Sequence, residues 1–357
     1  MNFLICVGEN YRSFMFLNQY AQSIAKAMFG ILDSIIFVQE FGSLLENIKV
    51  ESIKNAQCLV VCAKENFEGI LKNLEAFDGK DVREESINVN AMCVKNAQLQ
   101  MVLLDLQSVT QKELAQLFKM QGVTRGFENV QSLLYLYPLG IEATSAQMLL
   151  SKIAKNFNVC VNALNTQVHL EILSAQGEDL QGFKNVIKAT FGDKIFATFD
   201  LVESIIALLE SKKLKITSVE SCTGGLIASM LTRKSGASNV YDGGVISYAN
   251  SIKESWLGVS AENLKRFGAV SEEVVREMLR GVLKLSGADF ALATSGVAGP
   301  SGGSASKPVG TVYIGVKSID GREIVERLHF NGDRNYIQEQ ATLYAYLLFL
   351  KVFLNYY

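Results

Sequence analysis

The chain has 357 residues, of which 49% are hydrophobic and 20% charged, and its formal net charge is −2. This composition is typical of a folded protein of two or three domains and excludes intrinsic disorder. The near-neutral charge gives no electrostatic drive for nucleic-acid binding. The N-terminus lacks the basic region of a signal peptide, and the apolar runs are too short to span a membrane. We therefore expect a cytosolic protein with no nucleic-acid or membrane partner.

The cysteines and histidines narrow the possible chemistry. The six cysteines have neither metal-site nor disulfide spacing, which predicts buried, reduced thiols. The only two histidines, His169 and His329, lie far from any nucleophile-like motif and are expected to be strand residues. A Ser-His-Asp triad or a multi-histidine metal site is therefore disfavoured.

Residues 1–144 alternate strand-like and helix-like segments. The strand candidates are "NFLICVG", "DSIIFVQEF", "QCLVVCA" and "QLQMVLLDLQ". The helix candidates are "MFLNQYAQSIAKAM", "LLENIKVESIKNA", "NFEGILKNLEAF" and "VTQKELAQLFKMQ". This alternation predicts βαβ units around a mostly parallel, Rossmann-like sheet. The segment has no phosphate-binding glycine loop.

Residues 145–198 have a different pattern. "AQMLLSKIAKNF" predicts a helix, "TQVHLEILSAQ" an alternating strand, and "GFKNVIKATFG" a helix that ends at Gly192. We expect a small α+β connector.

Residues 199–357 begin with a predicted helix, "DLVESIIALLESKK", and a predicted strand, "LKITSVE", after which glycine becomes frequent. "SEEVVREMLRGVLKLSG" predicts an amphipathic helix capped by Ser271, and "NYIQEQATLYAYLLFLKVFL" an apolar C-terminal helix. The glycine-rich loops predict that any chemistry resides in this α/β domain.

The stretch "SVESCTGGLIASML" predicts a strand, a turn and a helix. Ser221 would stand at the carboxyl end of the strand, where α/β sheets bind ligands. The backbone N–H groups of Thr223, Gly224 and Gly225 would face a phosphate or a developing oxyanion. The alternative is a structural turn with Ser221 or Thr223 as the helix N-cap, and this element alone does not decide between them.

A serine needs a base, and "GGVISYANSIKESW" offers Lys253 and Tyr248 directly after a predicted strand. Lysine can act as a base when burial lowers its pKa. The plain alternative is a solvated lysine and a strand aromatic. In "TSGVAGPSGG" the small residues would let a ligand approach the backbone closely and Pro300 would stiffen the loop, although a hairpin without a ligand fits as well. Arg334 adds a cation suited to a carboxylate or phosphate.

Six sequence blocks resemble the signature blocks of the CinA family's C-terminal domain, in the same order: "ESCTGG", "GGVISYANSIKESWLGV", "FGAVSEEVVREM", "ATSGVAGPSGG", "KPVGTVYIGV" and "GDR". The resemblance implies hydrolysis of the amide of nicotinamide mononucleotide (NMN) to nicotinic acid mononucleotide and ammonia, without metal or cofactor. It also implies site roles: Ser221 as nucleophile, Lys253 as base, Tyr248 as assistant and Arg334 at the substrate. Thr223, Gly224, Gly225, Ser295, Gly296, Ala298 and Gly299 would hold the phosphate or the oxyanion.

The first domain is similar to the family's molybdopterin-binding-like domain only in the order of its elements. Gly8, Glu9 and Asn10 replace the family's Gly-Thr-Glu loop, and "KENFEG" replaces its Gly-Gly-Leu-Gly-Pro-Thr loop. We therefore expect a degenerate domain. Two alternatives stay open: a regulatory protein that senses a nucleotide without turnover, and an ADP-ribose pyrophosphatase in the first domain. The resemblance further implies a homo-oligomer.

Overall fold

The structure is a computed structural model that describes residues 1–13, 15–30, 32–39, 56–78, 83–88, 90–95, 99–120, 133–164, 172–177 and 179–356. The chain divides into two compact units, residues 1–132 and 133–357. Within the described ranges, no helix combines the length and the hydropathy needed to cross a membrane.

The first unit contains a six-stranded sheet flanked by helices. Its strands are β1 (Asn2–Val7), β2 (Ser34–Val38), β3 (Ala56–Val61), β4 (Arg83–Asn88), β5 (Ala91–Lys95) and β6 (Leu99–Leu104). Its helices are α1 (Glu9–Ser13), α2 (Met15–Phe29), α3 (Phe67–Asp78) and α4 (Gln111–Met120). The strand order is β2-β1-β3-β6-β5-β4, and the first four strands are parallel.

The period-2 alternation of β1 explains the two-sided packing of this sheet. Phe3 and Ile5 pack with residues of α3, whereas Leu4 and Cys6 pack with residues of α2 and α4 on the opposite face. The predicted Rossmann-like arrangement is confirmed. The antiparallel pair β4 and β5 was not anticipated, and the helix expected over "LLENIKVESIKNA" lies almost wholly outside the described residues.

The second unit begins with a four-stranded antiparallel sheet in the order β10-β7-β9-β8. Its strands are β7 (Leu134–Pro138), β8 (Val159–Leu164), β9 (Ile172–Gly177) and β10 (Ile195–Thr198). Two helices, α5 (Ala143–Ala154) and α6 (Leu180–Phe191), pack on it, and Gly192, where the sequence predicted the helix end, is the C-cap of α6. Because β7 pairs with β9 and β10, residues 134–138 belong to this sheet, while the functional division at 144 and 198 stays a prediction.

A second sheet in this unit has the order β12-β11-β13-β14-β15. Its strands are β11 (Ile216–Glu220), β12 (Gly244–Ile246), β13 (Phe290–Gly296), β14 (Thr311–Ser318) and β15 (Glu323–His329). Its helices are α7 (Leu201–Lys212), α8 (Leu226–Thr232), α9 (Ala237–Val240), α10 (Asn250–Leu257), α11 (Ala261–Phe267), α12 (Glu272–Ser286) and α13 (Arg334–Tyr356). Strands β12, β11 and β13 are parallel, and β14 and β15 continue antiparallel.

Both faces of this sheet are covered, which explains why every residue of β11 and all but the last residue of β13 are buried. Helix α12 packs on one face, with the Ser271 hydroxyl accepting from the backbone N–H of Val274, as the cap prediction required. Helices α7 and α13 pack on the other face. The apolar side chains of α13 are buried within the chain itself, so this helix needs no partner to explain its composition.

The thiol prediction holds for five cysteines, while Cys160 is exposed on β8. Burial raises the pKa of Cys6, Cys58 and Cys62 to about 12, which keeps these thiols protonated. His329 lies exposed on β15, as expected for a strand residue, and His169 lies outside the described residues.

Candidate active site

Ser221 directly follows β11, which lies between the parallel strands β12 and β13 in the five-stranded sheet. Every residue of β11 is buried, and the strand pairs in parallel with β12 and β13. The backbone N–H of Ser221 donates to the carbonyl of Thr294 on β13 over 3.0 Å. The serine therefore stands at the carboxyl ends of parallel strands, on a backbone held by the neighbouring strand.

Lys253 lies in the first turn of α10 and points back towards β11. Its side chain is 1% exposed, which is exceptional for a lysine. Its Nζ lies 3.0 Å from the Oγ of Ser221. It also donates to the backbone carbonyls of Ser247 and Tyr248, the latter over 3.4 Å. Within the described part of the chain, no carboxylate forms an ion pair with Lys253.

These three partners suit a neutral amine. A neutral amine has two N–H donors, which the two carbonyl oxygens can accept, and one lone pair, which can accept the Ser221 hydroxyl proton. Burial lowers the pKa of Lys253 from its ordinary value of 10.5 to about 8. The amine can therefore act as a general base near neutral pH.

The buried amine should cost stability, so Lys253→Met should unfold at a higher temperature than the wild type at pH 7. The folded-state pKa of about 8 lies below the unfolded value of 10.5. Below pH 8 the lysine is charged in both states and the cost of burying the charge is complete. Between pH 8 and 10.5 only the unfolded state binds the proton, so wild-type stability rises with pH.

We expect the free energy of unfolding of Lys253→Met to exceed that of the wild type by about 1–3 kcal/mol at pH 7. The substitution removes the cost of burying the charge, but the carbonyls of Ser247 and Tyr248 lose their donor, which offsets part of that gain. The gain should shrink towards pH 10. Melting curves of both proteins at pH 7, 8.5 and 10 measure it. A variant that is less stable than the wild type at pH 7 would contradict a burial penalty at this lysine.

Tyr248 and Arg334 form the rim of the site. Tyr248 follows β12 and is 63% exposed. Its hydroxyl accepts from the Nη2 of Arg334 over 3.1 Å, while the Nη1 of Arg334 donates to the carbonyl of Gly299 over 2.9 Å. Neither contact neutralises the guanidinium, and no ion pair of Arg334 occurs among the described residues. Arg334 can therefore receive an anionic group from solvent.

The end of β13 and the loop that follows it supply another wall of the site. A Cβ on Gly296 would lie 2.8 Å from the Thr311 carbonyl oxygen, so only glycine lets the two strands approach this closely. Ser295 is buried, and its hydroxyl donates to the carbonyl of Ala269 over 2.8 Å. The Ser295 hydroxyl therefore ties the end of β13 to Ala269, another residue that lines the cavity.

A cavity of about 180 Å³ joins these groups. Its lining residues are Ser221, Cys222, Tyr248, Lys253, Ala269, Val270, Ser295, Gly296, Ala298 and Arg334. Seven of the site residues proposed from the sequence therefore meet at one place. Gly299 does not line the cavity, but its carbonyl accepts a hydrogen bond from Arg334.

The turn residues Thr223, Gly224 and Gly225 do not line this cavity, and the N–H groups of Gly224 and Gly225 and the hydroxyl of Thr223 already have partners within the chain. The N–H of Gly224 donates to the carbonyl of Ser221, and the N–H of Gly225 donates to the carboxylate of Glu220 over 2.9 Å. The Thr223 hydroxyl also donates to Glu220. The prediction that the N–H groups of Gly224 and Gly225 face a bound anion was therefore wrong. The carboxylate of Glu220, a residue of the chain itself, occupies this helix start.

The alternative of Ser221 or Thr223 as N-cap is also wrong, since the N-cap of α8 is Gly225, which makes no side-chain cap. Sequence analysis missed Glu220, although it begins the "ESCTGG" block, and it missed the lining residues Ala269 and Val270 in "FGAVSEEVVREM". Their only signal was membership of these blocks.

Cys222 lies directly after Ser221 and is the other nucleophile-type side chain in the cavity. Burial raises the pKa of its thiol to about 12, and Glu220 adds to the effect. A buried, protonated thiol is a poor nucleophile. Ser221, 3.0 Å from an amine, is the better equipped of the two.

Comparisons with known proteins concern the same part of the chain. Residues 198–353 match the family model of the CinA C-terminal domain. A nicotinamide-nucleotide amidohydrolase, PncC, of Enterobacter agglomerans is 46% identical over 156 residues, which are 44% of this chain and 95% of that protein.

A competence-damage inducible protein of Caldicellulosiruptor saccharolyticus is 39% identical over 229 residues, or 61% of this chain and 56% of that protein. The crystal structure of a competence/damage inducible protein from Agrobacterium tumefaciens is 39% identical, covers 43% of this chain and 93% of that chain, and has a TM-score of 0.42. The chain spans about half the length of the first curated relatives that it matches. Because it covers nearly all of a relative 46% identical to it and matches the family model, this chain belongs to the CinA family.

Proposed function

We propose that this protein hydrolyses the amide of NMN to nicotinic acid mononucleotide and ammonia, with Ser221 as nucleophile and Lys253 as general base. The observation that carries the proposal is the Lys253 amine, buried and 3.0 Å from the Ser221 hydroxyl, with its pKa lowered to about 8. A nicotinamide-nucleotide amidohydrolase matches this chain over 95% of its own length, which supports this substrate class.

In the acylation step, Lys253 accepts the Ser221 hydroxyl proton while Oγ attacks the amide carbon. The resulting ammonium then gives that proton to the departing nitrogen, so the C–N bond breaks and ammonia leaves. The carbonyls of Ser247 and Tyr248 hold the amine in place throughout.

In the deacylation step, water takes the place of ammonia. Lys253 accepts a proton from water, the hydroxide attacks the ester carbon, and the proton returns to the Ser221 oxygen as the ester C–O bond breaks. The carboxylic acid product then loses its remaining proton to solvent and leaves as the carboxylate. Each cycle consumes one water and restores both residues.

Substrate binding divides between the cavity and its rim. A cavity of about 180 Å³ is below the usual size of a complete small-molecule site, so it would enclose only the pyridine ring and its amide. The ribose and phosphate would extend past Tyr248 towards Arg334, whose fork-shaped guanidinium suits a phosphate.

Arg334→Met should raise KM for NMN about 10- to 100-fold, since a charge-assisted hydrogen bond contributes about 1.5–3 kcal/mol. The change in kcat should be small if the phosphate contact is equal in ground and transition states. Arg280→Met is the control, because it removes the same charge from an exposed position on α12. An unchanged KM with a reduced kcat would instead assign Arg334 to holding the Tyr248 hydroxyl.

The experiment that tests the function is product analysis with purified protein, NMN and EDTA. We expect nicotinic acid mononucleotide and ammonia in equal amounts. Binding of NMN without product would favour the nucleotide-sensing alternative. Metal-dependent release of AMP from ADP-ribose, with no action on NMN, would move the activity to the first unit.

A further inference from the structure

A buried carboxylate lies directly beside the candidate nucleophile. Glu220, the last residue of β11, is 1% exposed, and no cationic side chain of the described residues forms an ion pair with it. Its carboxylate instead accepts five hydrogen bonds: from Thr223 Oγ1 (2.7 Å), Gly225 N (2.9 Å), Ile227 N (3.1 Å), Ala228 N (2.9 Å) and Ser218 Oγ (3.4 Å). Three of these donors are backbone N–H groups at the start of α8.

This arrangement is a helix cap made by a residue outside the helix. The first N–H groups of a helix have no intrahelical partner and carry partial positive charge, so they stabilise a carboxylate that has no counter-ion. Because Gly225, Ile227 and Ala228 already donate to Glu220, this helix start cannot also bind the phosphate of a substrate. Arg334 at the rim of the cavity is therefore the better candidate for binding that phosphate.

The contacts of Glu220 reach both members of the candidate catalytic pair. Its carboxylate draws the turn after Ser221 back onto β11 through Thr223 and Gly225. Its backbone carbonyl accepts from the N–H of Ser247 over 2.8 Å, and the carbonyl of Ser247 in turn accepts from Lys253 Nζ. One residue therefore connects the backbone of the nucleophile with the backbone that holds the base.

We propose that Glu220 is a positioning residue that sets the Ser221–Lys253 distance by tying the "ESCTGG" turn to β11. This inference rests on the proposed function only in taking Ser221 and Lys253 as a reacting pair. Glu220 touches neither the cavity nor a reacting atom, so its effect passes entirely through geometry. Displacing reacting groups by about 1 Å typically costs on the order of 100-fold in rate.

The test variant is Glu220→Gln, which keeps the side chain's size and removes its charge. Whichever way the amide points, its NH2 group faces N–H groups that need an acceptor, so the cap loosens. We expect kcat for NMN to fall about 10- to 100-fold, with KM changed less than about threefold. The pH midpoint should stay close to that of the wild type, because burial, and not Glu220, lowers the pKa of Lys253. Glu254→Gln, an exposed change on α10 beside Lys253, is the matched control.

A second readout does not depend on the substrate. Phenylmethanesulfonyl fluoride forms an O–S bond with an activated serine while the S–F bond breaks and fluoride leaves with the hydroxyl proton. Peptide mass analysis gives the labelling rate of Ser221, normalised to the folded fraction and measured well below the melting temperature. We expect slower labelling in Glu220→Gln and wild-type labelling in Glu254→Gln.

The outcomes separate the two proposals. If the wild type leaves NMN intact but Ser221 is labelled, the substrate is wrong, and the labelling ratio still decides the role of Glu220. Equal labelling per folded molecule in wild type and Glu220→Gln, even with a lower melting temperature, means a purely structural role and overturns the inference. Absence of labelling in the wild type also overturns it, because no activated pair then exists.

A second pair of variants applies if Glu220→Gln fails to fold. Thr223→Val must then slow labelling more than Thr223→Ser, because serine keeps the hydroxyl that donates to Glu220. Equal labelling rates of the two variants overturn the inference.

Discussion

Lys253→Met should lower kcat for NMN hydrolysis by about three to four orders of magnitude while the protein stays folded. General-base catalysis contributes about 10²–10⁴-fold, and the same amine serves both acylation and deacylation here. Methionine fills a similar volume but has neither the lone pair that accepts the Ser221 proton nor the donors to Ser247 and Tyr248. Steady-state ammonia release measures the effect.

Lys265→Met is the control for this change, since Lys265 is exposed on α11. It should leave kcat and KM near the wild-type values. If Lys253→Met retained more than about a tenth of wild-type kcat, a positioned base at this site would be refuted, because such a base contributes at least about 100-fold.

The second large effect is the pH dependence of kcat/KM, which should rise about 90-fold from pH 6 to pH 9. The base must be neutral, and with a pKa of about 8 its neutral fraction is roughly 1% at pH 6 and roughly 90% at pH 9. Since kcat/KM reports the free enzyme, the midpoint should fall near pH 8.

The profile is measured in overlapping buffers, with stability checked at each pH. A midpoint near 10.5, the ordinary lysine value, would mean that Lys253 is solvated in the working enzyme. A rate that falls as pH rises would mean that the protonated form is the active one. Either result contradicts the assignment of Lys253 as the base.

Local features of the chain predicted the elements that carry the site. The β-prone stretch "KITSVES" followed by "CTGG" predicts a strand and a turn, and this places Ser221 at the sheet's carboxyl edge. The Ser271 cap and the pattern of α12 were equally readable, because a cap and an amphipathic period depend on residues three or four apart.

The contacts that build the site were not readable locally. Lys253 looks like a surface lysine in sequence, and its burial depends on α10 packing against β11, more than 30 residues earlier. The glycines of the turn predicted an anion site, but sequence spacing does not reveal that the carboxylate of Glu220 fills it. A helix start always attracts an anion, and only the fold determines whether the anion comes from the chain or from a ligand.

Some strands of the sheets could not be predicted from local sequence either. Strands β4, β5, β7, β8 and β10 were missed, since short strands acquire their stability from cross-strand pairs rather than from their own pattern. The parallel core of the first unit was predictable because its strands are buried on both faces and therefore form continuous apolar runs.

The central claim is that the Ser221 oxygen attacks the amide of NMN. Ammonia release from NMN by Ser221→Ala, beside wild type and Cys222→Ala at equal folded concentration in EDTA, tests it most directly. We predict steady release by the wild type and by Cys222→Ala, and at least about a thousandfold slower release by Ser221→Ala. Release by Ser221→Ala at a rate near the wild type's would contradict the claim, as would loss of activity in Cys222→Ala alone.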